Sequence, residues 1–163
     1  MVFGETAKVF FLASGAAEGY SPLNAFDAAL IQAGIGDFNL VKVSSIIPPG
    51  CKEGRPRSHP PGSVVPAAYA YIISDIPGEV VSAAVAAALP ERETDAGLIM
   101  EYSARGHQQE AEEIVRNMAV EGMRIRGRGI KEIKSLAVEY KVQTIGAAVA
   151  AVVLWPYHEE TDD

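Results

Sequence analysis

The sequence contains one cysteine, no excess of positive charge and no apolar run long enough to cross a membrane, and each shortage excludes a class of protein. Cys51 alone cannot form an intrachain disulfide or a cysteine-based zinc cage, and a free thiol is typical of a reducing compartment. The net charge of −7 argues against nucleic acid as a partner, because phosphate binding needs clustered cations. The longest apolar stretch, residues 145–155, is shorter than the roughly 20 residues of a membrane helix. We therefore expect a cytoplasmic protein that binds neither nucleic acid nor membrane.

Metal ligands are also scarce, and the rest of the composition is that of one globular domain. His59, His107 and His158 are scattered without the spacing of a metal site, so we expect no metal. Hydrophobic residues make up 48% of the 163 residues and charged residues 21%, which is enough for a sizeable core. The prediction is a single domain over residues 1–163.

Hydrophobic spacing predicts three helices. The first begins at Ser21 and Pro22, which suit an N-cap and a first helical turn, and it ends at Gly34. The second is predicted over residues 75–88. The third spans residues 106–122 and carries the clearest apolar stripe.

Strands outnumber these helices. A turn through Gly15 and Gly19 follows the first strand, and the last two strands are expected to pair with each other in antiparallel fashion. Together the elements are typical of an α+β fold in which helices lie on packed sheets. The predicted strands cover residues 8–14, 38–47, 64–73, 97–102, 133–142 and 145–155.

Residues 48–62 form a predicted loop after the second strand. Pro48 and Pro49 lack the donors that a sheet requires, so the strand must end before them. Loops of this length in compact domains are usually functional or mobile. Its basic, proline-rich part, residues 51–61, would influence substrate preference if it borders the active site.

The Ser44–Ser45 bond precedes this loop and is a candidate for self-cleavage. A pair of serines at a strand end more often only satisfies backbone groups at a turn. In the alternative, the Ser45 hydroxyl attacks the Ser44 carbonyl, and elimination and hydrolysis leave a pyruvoyl group on residue 45. This chemistry needs a strained peptide and a donor that stabilises the oxyanion. Asn39 is a candidate donor, although its place after Gly36 and Asp37 also suits a turn residue.

Four segments in one order resemble the pyruvoyl-dependent arginine decarboxylases, a family best known from archaea. Residues 65–79 and the alanine-rich last strand agree, so the similarity runs from about residue 11 to residue 155. An ordered set of this length is far more specific than any one of its motifs. The four segments are SPLNAFDAAL at residues 21–30, AGIG at 33–36 with NL at 39–40, VSSIIPP at 43–49 and GLIMEY at 97–102.

The resemblance implies a fold, an assembly and a reaction. The fold is a four-layer αββα sandwich, and the assembly is a homotrimer with active sites between neighbouring protomers. Self-cleavage would give a small chain of residues 1–44 and a larger chain of residues 45–163. The larger chain would carry a covalent pyruvoyl group made from Ser45, with neither metal nor pyridoxal phosphate. L-Arginine would form a Schiff base with this group, lose carbon dioxide and leave as agmatine, an early step in polyamine synthesis.

Two carboxylates take roles under this resemblance. Glu101 follows an apolar strand, where burial would raise its carboxyl pKa, and the resemblance makes it the proton donor. Asp27 lies on the first predicted helix and would bind the guanidinium of arginine in a bidentate manner. Without the resemblance, Glu101 is more simply a solvent-facing residue at a strand end, and Asp27 is about equally well explained as an exposed helix charge.

Two rival hypotheses stay open on the sequence alone. One is the same chemistry on another amino acid, such as histidine. The other is a non-catalytic trimeric homologue that never cleaves itself and acts as a structural or regulatory partner.

Overall fold

The computed structural model describes residues 6–55 and 60–156, and within them the chain forms two helices and nine strands. His59, His158 and Arg57 lie outside the described residues. In chain order the elements are β1 (Val9–Glu18), α1 (Pro22–Gln32), β2 (Asn39–Lys42), β3 (Ile46–Ile47), β4 (Lys52–Glu53), β5 (Val64–Ser74), β6 (Val80–Pro90), β7 (Gly97–Arg105), α2 (Gln108–Ile125), β8 (Ile130–Lys141) and β9 (Gly146–Trp155).

The strands form two sheets. The first has the order β2-β5-β9-β1-β4, and the second has the order β3-β7-β6-β8. Most neighbouring strands are antiparallel, whereas β2 runs parallel to β5 and β4 runs parallel to β1. The predicted α+β class is therefore confirmed.

Three hydrophobic clusters show where the core lies. The first joins the two sheets and contains Phe10 from β1 and Ile99 from β7. The second lies between α1 and the first sheet and contains Ala29 from α1. The third lies between α2 and the second sheet and contains Ala119 and Leu98. Each helix thus has its own apolar interface with one sheet.

Both helices match predicted ones. The hydroxyl of Ser21 accepts a hydrogen bond from the backbone N–H of Asn24 at 3.2 Å, and Pro22 occupies the first turn of α1. Gly34 follows α1 with a φ of 75°, a conformation that favours glycine. Within the described residues, neither helix is both long and apolar enough to cross a membrane.

Gly15 lies inside β1 rather than in the predicted turn, because the strand continues to Glu18. The strand extends this far because β9 pairs with it as far as Glu18, and glycine is required at position 15 because α1 approaches closely. A Cβ atom on Gly15 would stand 2.2 Å from the carbonyl oxygen of Ala29, and one on Gly19 would stand 2.1 Å from the backbone nitrogen of Ala25. Both glycines therefore allow the helix to lie directly on the strand.

The predicted second helix is wrong, since its segment forms strand β6. This strand pairs with β7 on one side and β8 on the other. Its side chains are buried on both faces, with Val81 and Val85 between the sheets and Ala84 and Ala86 against α2. A strand buried on both faces shows no alternation, and alanine favours helices, so hydrophobic spacing cannot separate the two structures here.

The predicted pairing of the last two strands is also wrong. β8 pairs with β6 in the second sheet, whereas β9 lies between β1 and β5 in the first. The chain changes sheets at a turn where the Glu18 carboxylate accepts hydrogen bonds from the backbone N–H groups of Gln143, Thr144 and Ile145. Because β9 is buried along its whole length, it needs a partner strand on each edge, and β1 and β5 supply them.

Candidate active site

The predicted strand over residues 38–47 is two short strands in different sheets, and the serine pair lies where the chain passes between them. β2 ends at Lys42 on the edge of the first sheet, and β3 begins at Ile46 on the edge of the second. The strand must break here because its two halves pair with different sheets. Ser44 is exposed and Ser45 is half-buried in this crossing segment.

Ser45 is bound to the neighbouring strand β7. Its carbonyl oxygen accepts a hydrogen bond from the Ile99 N–H at 2.7 Å, just before the β3–β7 pairing begins. Ser44 and Ser45 both have negative φ. Neither residue therefore has the left-handed backbone conformation, and the strain expected at this bond cannot come from it. This hydrogen bond holds the backbone of Ser45 beside Ile99, which lies two residues before Glu101 on β7.

Glu101 lies within β7 and not at its end, because the strand continues to Arg105. It shares a face of the strand with Ile99, which belongs to the core between the sheets. Its Oε2 atom is buried and has no hydrogen-bond partner among the described residues. Burial raises the pKa of this carboxyl, and the nearby Lys42 ammonium offsets part of that rise. The direction agrees with the prediction for a proton donor.

Lys42 and Tyr69 complete this site, and neither residue was predicted from the sequence. The Lys42 Nζ lies 3.7 Å from Oε1 of Glu101 and 4.9 Å from the centroid of the Tyr69 ring. The Tyr69 ring lies 6.4 Å from that of Phe26 on α1. The one sequence signal for Lys42 is its place two residues before Ser44. Nothing in the sequence shows that the edges of two sheets bring it to Glu101.

Asn39 lies at the start of β2, while the serine pair follows the end of that strand. Its side-chain amide donates a hydrogen bond to the Gly62 carbonyl at 2.8 Å, and its backbone N–H donates to the Ser63 carbonyl at 2.8 Å. These bonds join β2 to the loop before β5. The role of Asn39 as an oxyanion donor stays a prediction.

Asp27 is exposed on α1, as a plain helix charge would be, and makes no ion pair within the described residues. The residue before it, Phe26, contacts Tyr71 with 4.7 Å between ring centroids, in addition to Tyr69. A series of contacts through Phe26, Tyr69 and Lys42 therefore connects this part of α1 to Glu101. Binding of a guanidinium by Asp27 stays a prediction.

The described part of the loop after β3 leads away from the serine pair. It forms β4, which pairs with β1 at the opposite edge of the first sheet from β2. Cys51 precedes β4 and is half-buried, and burial raises the pKa of its thiol to about 11. A thiol with that pKa is not activated as a nucleophile at neutral pH.

The sequence is similar to one enzyme family over nearly its whole length. The sequence model of the pyruvoyl-dependent arginine decarboxylases matches residues 9–159. The relative of that name from Methanocaldococcus jannaschii is 49% identical over 144 residues, which are 88% of this chain and 87% of the relative. The Methanococcus aeolicus relative is 51% identical over 144 residues, again 88% and 87% of the two chains. The Pyrococcus abyssi relative is 46% identical over 155 residues, or 93% of this chain and 98% of the relative.

Among solved structures, the fold is similar to that of a pyruvoyl-dependent histidine decarboxylase at pH 8. The TM-score is 0.51, and the sequences are 16% identical. The match covers 63% of this chain and 54% of that chain, so the present chain spans about half the length of the other protein. A match at this identity supports the α+β fold with two sheets and two helices, and nothing about the reaction.

Proposed function

The chain belongs to the pyruvoyl-dependent arginine decarboxylase family, and we propose that it decarboxylates L-arginine to agmatine after cutting itself between Ser44 and Ser45. One observation of the structure carries the proposal. The carbonyl of Ser45 is bound to Ile99, and Glu101, two residues farther along β7, has a buried carboxyl oxygen without a hydrogen-bond partner among the described residues. The candidate cofactor precursor and the candidate proton donor therefore lie on neighbouring backbones.

Self-cleavage begins at the Ser45 hydroxyl. Its oxygen attacks the Ser44 carbonyl carbon, the C–N bond breaks, and the peptide becomes an ester. Loss of the Cα proton then breaks the bond between Cβ and the ester oxygen, which releases Ser44 as a carboxylate. Water hydrolyses the resulting dehydroalanine and releases ammonia, which leaves a ketone on residue 45. Asn39 is the proposed oxyanion donor, because a side-chain amide has a second N–H beyond the one that binds Gly62.

A half-buried Ser45 that is held to β7 close to the unpartnered Oε2 of Glu101 supports a pyruvoyl group at residue 45. When it is present, such a group supplies a ketone for the substrate amine and an electron sink for decarboxylation. Glu101 donates a proton to the α-carbon after carbon dioxide has left. Burial favours the neutral form of this carboxyl, so it retains the proton that it must deliver.

Asp27 is the proposed ligand of the arginine guanidinium. A carboxylate can accept two parallel hydrogen bonds from this planar cation, whereas a neutral side chain cannot match its charge. The exposure of Asp27 leaves its carboxylate available for such a ligand. The contacts of Phe26 with Tyr69 and Tyr71 support the placement of this helix turn near the site.

We further propose a single domain with four layers, in the order α1, first sheet, second sheet and α2. The three separate apolar clusters support that order. The proposed assembly is a cytoplasmic homotrimer of cleaved protomers. Support for a protein partner comes from large apolar side chains at the start of α1, where Tyr20 is 96% and Leu23 is 74% exposed.

The Ser45→Ala variant tests cleavage and activity together, because it lacks the attacking hydroxyl. We expect this variant to stay a single chain in denaturing mass spectrometry and to release no agmatine. Wild-type protein should give two fragments that meet at residue 44, the larger without a free α-amino group. Ser63→Ala is the matched control, since its hydroxyl binds the Pro60 carbonyl away from the serine pair. It should cleave and turn over arginine normally.

Two outcomes would contradict this proposal. A Ser45→Ala protein that still decarboxylates arginine would overturn the mechanism. A wild-type chain that remains intact and inactive after long incubation would support the non-catalytic homologue instead.

A further inference from the structure

We infer that Lys42 is a positioning residue that determines which oxygen of Glu101 carries the proton. The inference rests on the proposed function and deepens it. The Lys42 Nζ lies 3.7 Å from Oε1, whereas Oε2 is buried and has no hydrogen-bond partner among the described residues. A neutral carboxyl carries its proton on one oxygen and accepts hydrogen bonds at the other. With the ammonium beside Oε1, the proton of the neutral acid belongs on Oε2.

The position of Lys42 is itself fixed by two contacts. Its backbone pairs with Ala67 in the parallel ladder between β2 and β5. Its ammonium lies 4.9 Å from the centroid of the Tyr69 ring, which is a cation–π distance. The side chain is 50% exposed, which is typical of a lysine that covers apolar surface with its stem. Lys42 therefore approaches Glu101 from one side only, the side of Oε1.

Other charged groups near Glu101 do not replace Lys42. Arg105 lies on the same face of β7, but its Nε binds Glu79 at 2.8 Å. Strands β3, β6 and β9 bring no charged side chain to β7. Strand β5 contributes the apolar Ala68 and Ile72 to the core between the sheets, whereas its Tyr69 and Tyr71 face Phe26 of α1. Helix α2 lies on the other face of the second sheet. Within the described residues, Lys42 is thus the cation that acts on the Glu101 carboxyl.

The Lys42→Met variant tests this inference, because methionine keeps most of the apolar stem over Tyr69 and removes the ammonium. In cleaved protein we expect kcat for arginine to fall roughly ten- to hundredfold, with KM changed less than about threefold. The alkaline limb of the kcat profile should move to higher pH, because the cation that lowers the pKa of Glu101 is gone.

Two further variants separate charge from general damage. Lys42→Arg retains a cation and should recover most of kcat and the wild-type alkaline limb. Lys134→Met removes an ammonium that is bound to Glu53 at 2.7 Å and to Glu132 at 3.1 Å. This lysine lies outside the site, so its loss should change neither quantity.

A second readout does not depend on cleavage or turnover. In a Ser45→Ala background, a ¹³C NMR titration of the Glu101 carboxyl, assigned with Glu101→Gln, should give a higher pKa in the Lys42→Met protein than with Lys42 present. Either an unchanged pKa in this titration or an unchanged kcat profile would overturn the inference while the proposed function stands. A wild-type chain without cleavage and arginine turnover would overturn the proposed function, and the inference with it.

Discussion

The protonation state of Glu101 shows how position sets chemistry at the scale of one residue. Burial raises the pKa of the carboxyl and Lys42 lowers it, and burial has the larger effect. A proton donor must hold its proton at the working pH, so the net direction is the one that the role requires. The pKa of Glu101 is higher in the folded protein than the ordinary value, so ionisation of this carboxyl lowers the free energy of unfolding as the pH rises through the folded-state pKa. Below about 4.5, the ordinary pKa of a glutamate, this loss of stability is absent.

Asp27 allows a second test at this scale. The Asp27→Ala variant should lose charge-assisted hydrogen bonds to the guanidinium, which contribute about 1.5–3 kcal/mol, so kcat/KM for arginine should fall roughly ten- to hundredfold. Citrulline, the neutral isostere of arginine, offers a sharper measurement. The preference for arginine over citrulline should shrink in the variant, because the discriminating charge is gone.

The matched control for this test is Asp75→Ala, which removes another exposed aspartate from the turn between β5 and β6. Self-cleavage should proceed in both variants, since neither alters the serine pair. If Asp27→Ala decarboxylates arginine as fast as the wild type, Asp27 does not bind the guanidinium. The same chemistry on another amino acid then becomes the better hypothesis.

At the scale of elements, the sequence predicted those whose ends have a local cause. Ser21 caps α1, Gly34 ends it with a positive φ, and Pro48 stops the strand before it. The sequence failed where a second element decides the structure. β6 is a strand because β7 pairs with one of its edges and β8 with the other. Nothing in its apolar sequence indicates those partners.

The candidate site likewise contains residues that local sequence motifs predicted and a contact that they could not predict. Ser45, Glu101 and Asp27 were predicted from ordered motifs, and each motif is a short local segment. The pairing of Lys42 with Glu101 was not predictable, because it joins the edge strand of one sheet to a strand of the other. Residues 43–45 read as part of a continuous strand, and only the sheet order shows that the chain leaves one ladder there and enters another.

The contact between α1 and β1 gives a prediction at the scale of elements. Alanine at position 15 would place its Cβ 2.2 Å from the Ala29 carbonyl oxygen and 2.5 Å from the Ala33 nitrogen. Both are backbone atoms, one in α1 and one in its C-cap residue, so no side chain can rotate away, and α1 must shift. We expect Gly15→Ala to lower the free energy of unfolding by at least about 2 kcal/mol, as measured by urea denaturation.

Gly54→Ala is the control for this clash. A Cβ atom there would meet only the Val9 side chain, at 3.4 Å, which is an ordinary contact. Its stability should stay within about 0.5 kcal/mol of the wild type. Equal stability of the Gly15→Ala protein would mean that α1 does not lie as close to β1 as the structure places it.

At the scale of the whole molecule, a cut after Ser44 would divide the first sheet between two chains. The smaller fragment would contribute β1, α1 and β2, and the larger would contribute β4, β5 and β9. β1 pairs with β9 along its full length and with β4 on its other edge, while β2 pairs with β5. Phe10 and Phe11 of the smaller fragment are buried on opposite faces of that sheet.

These contacts predict that the two fragments stay together after cleavage. Full burial of each phenylalanine contributes about 1.5–3 kcal/mol, and the strand pairing of β1 adds to it, whereas the cut removes one exposed connection.

Native mass spectrometry of cleaved protein should therefore show both fragments in one particle of the same stoichiometry as Ser45→Ala, and they should separate only in denaturant. The melting temperatures of the cleaved protein and of Ser45→Ala should lie within a few degrees. Loss of the smaller fragment in native buffer would contradict the central position of β1, because a strand with partners on both edges cannot leave without opening the sheet.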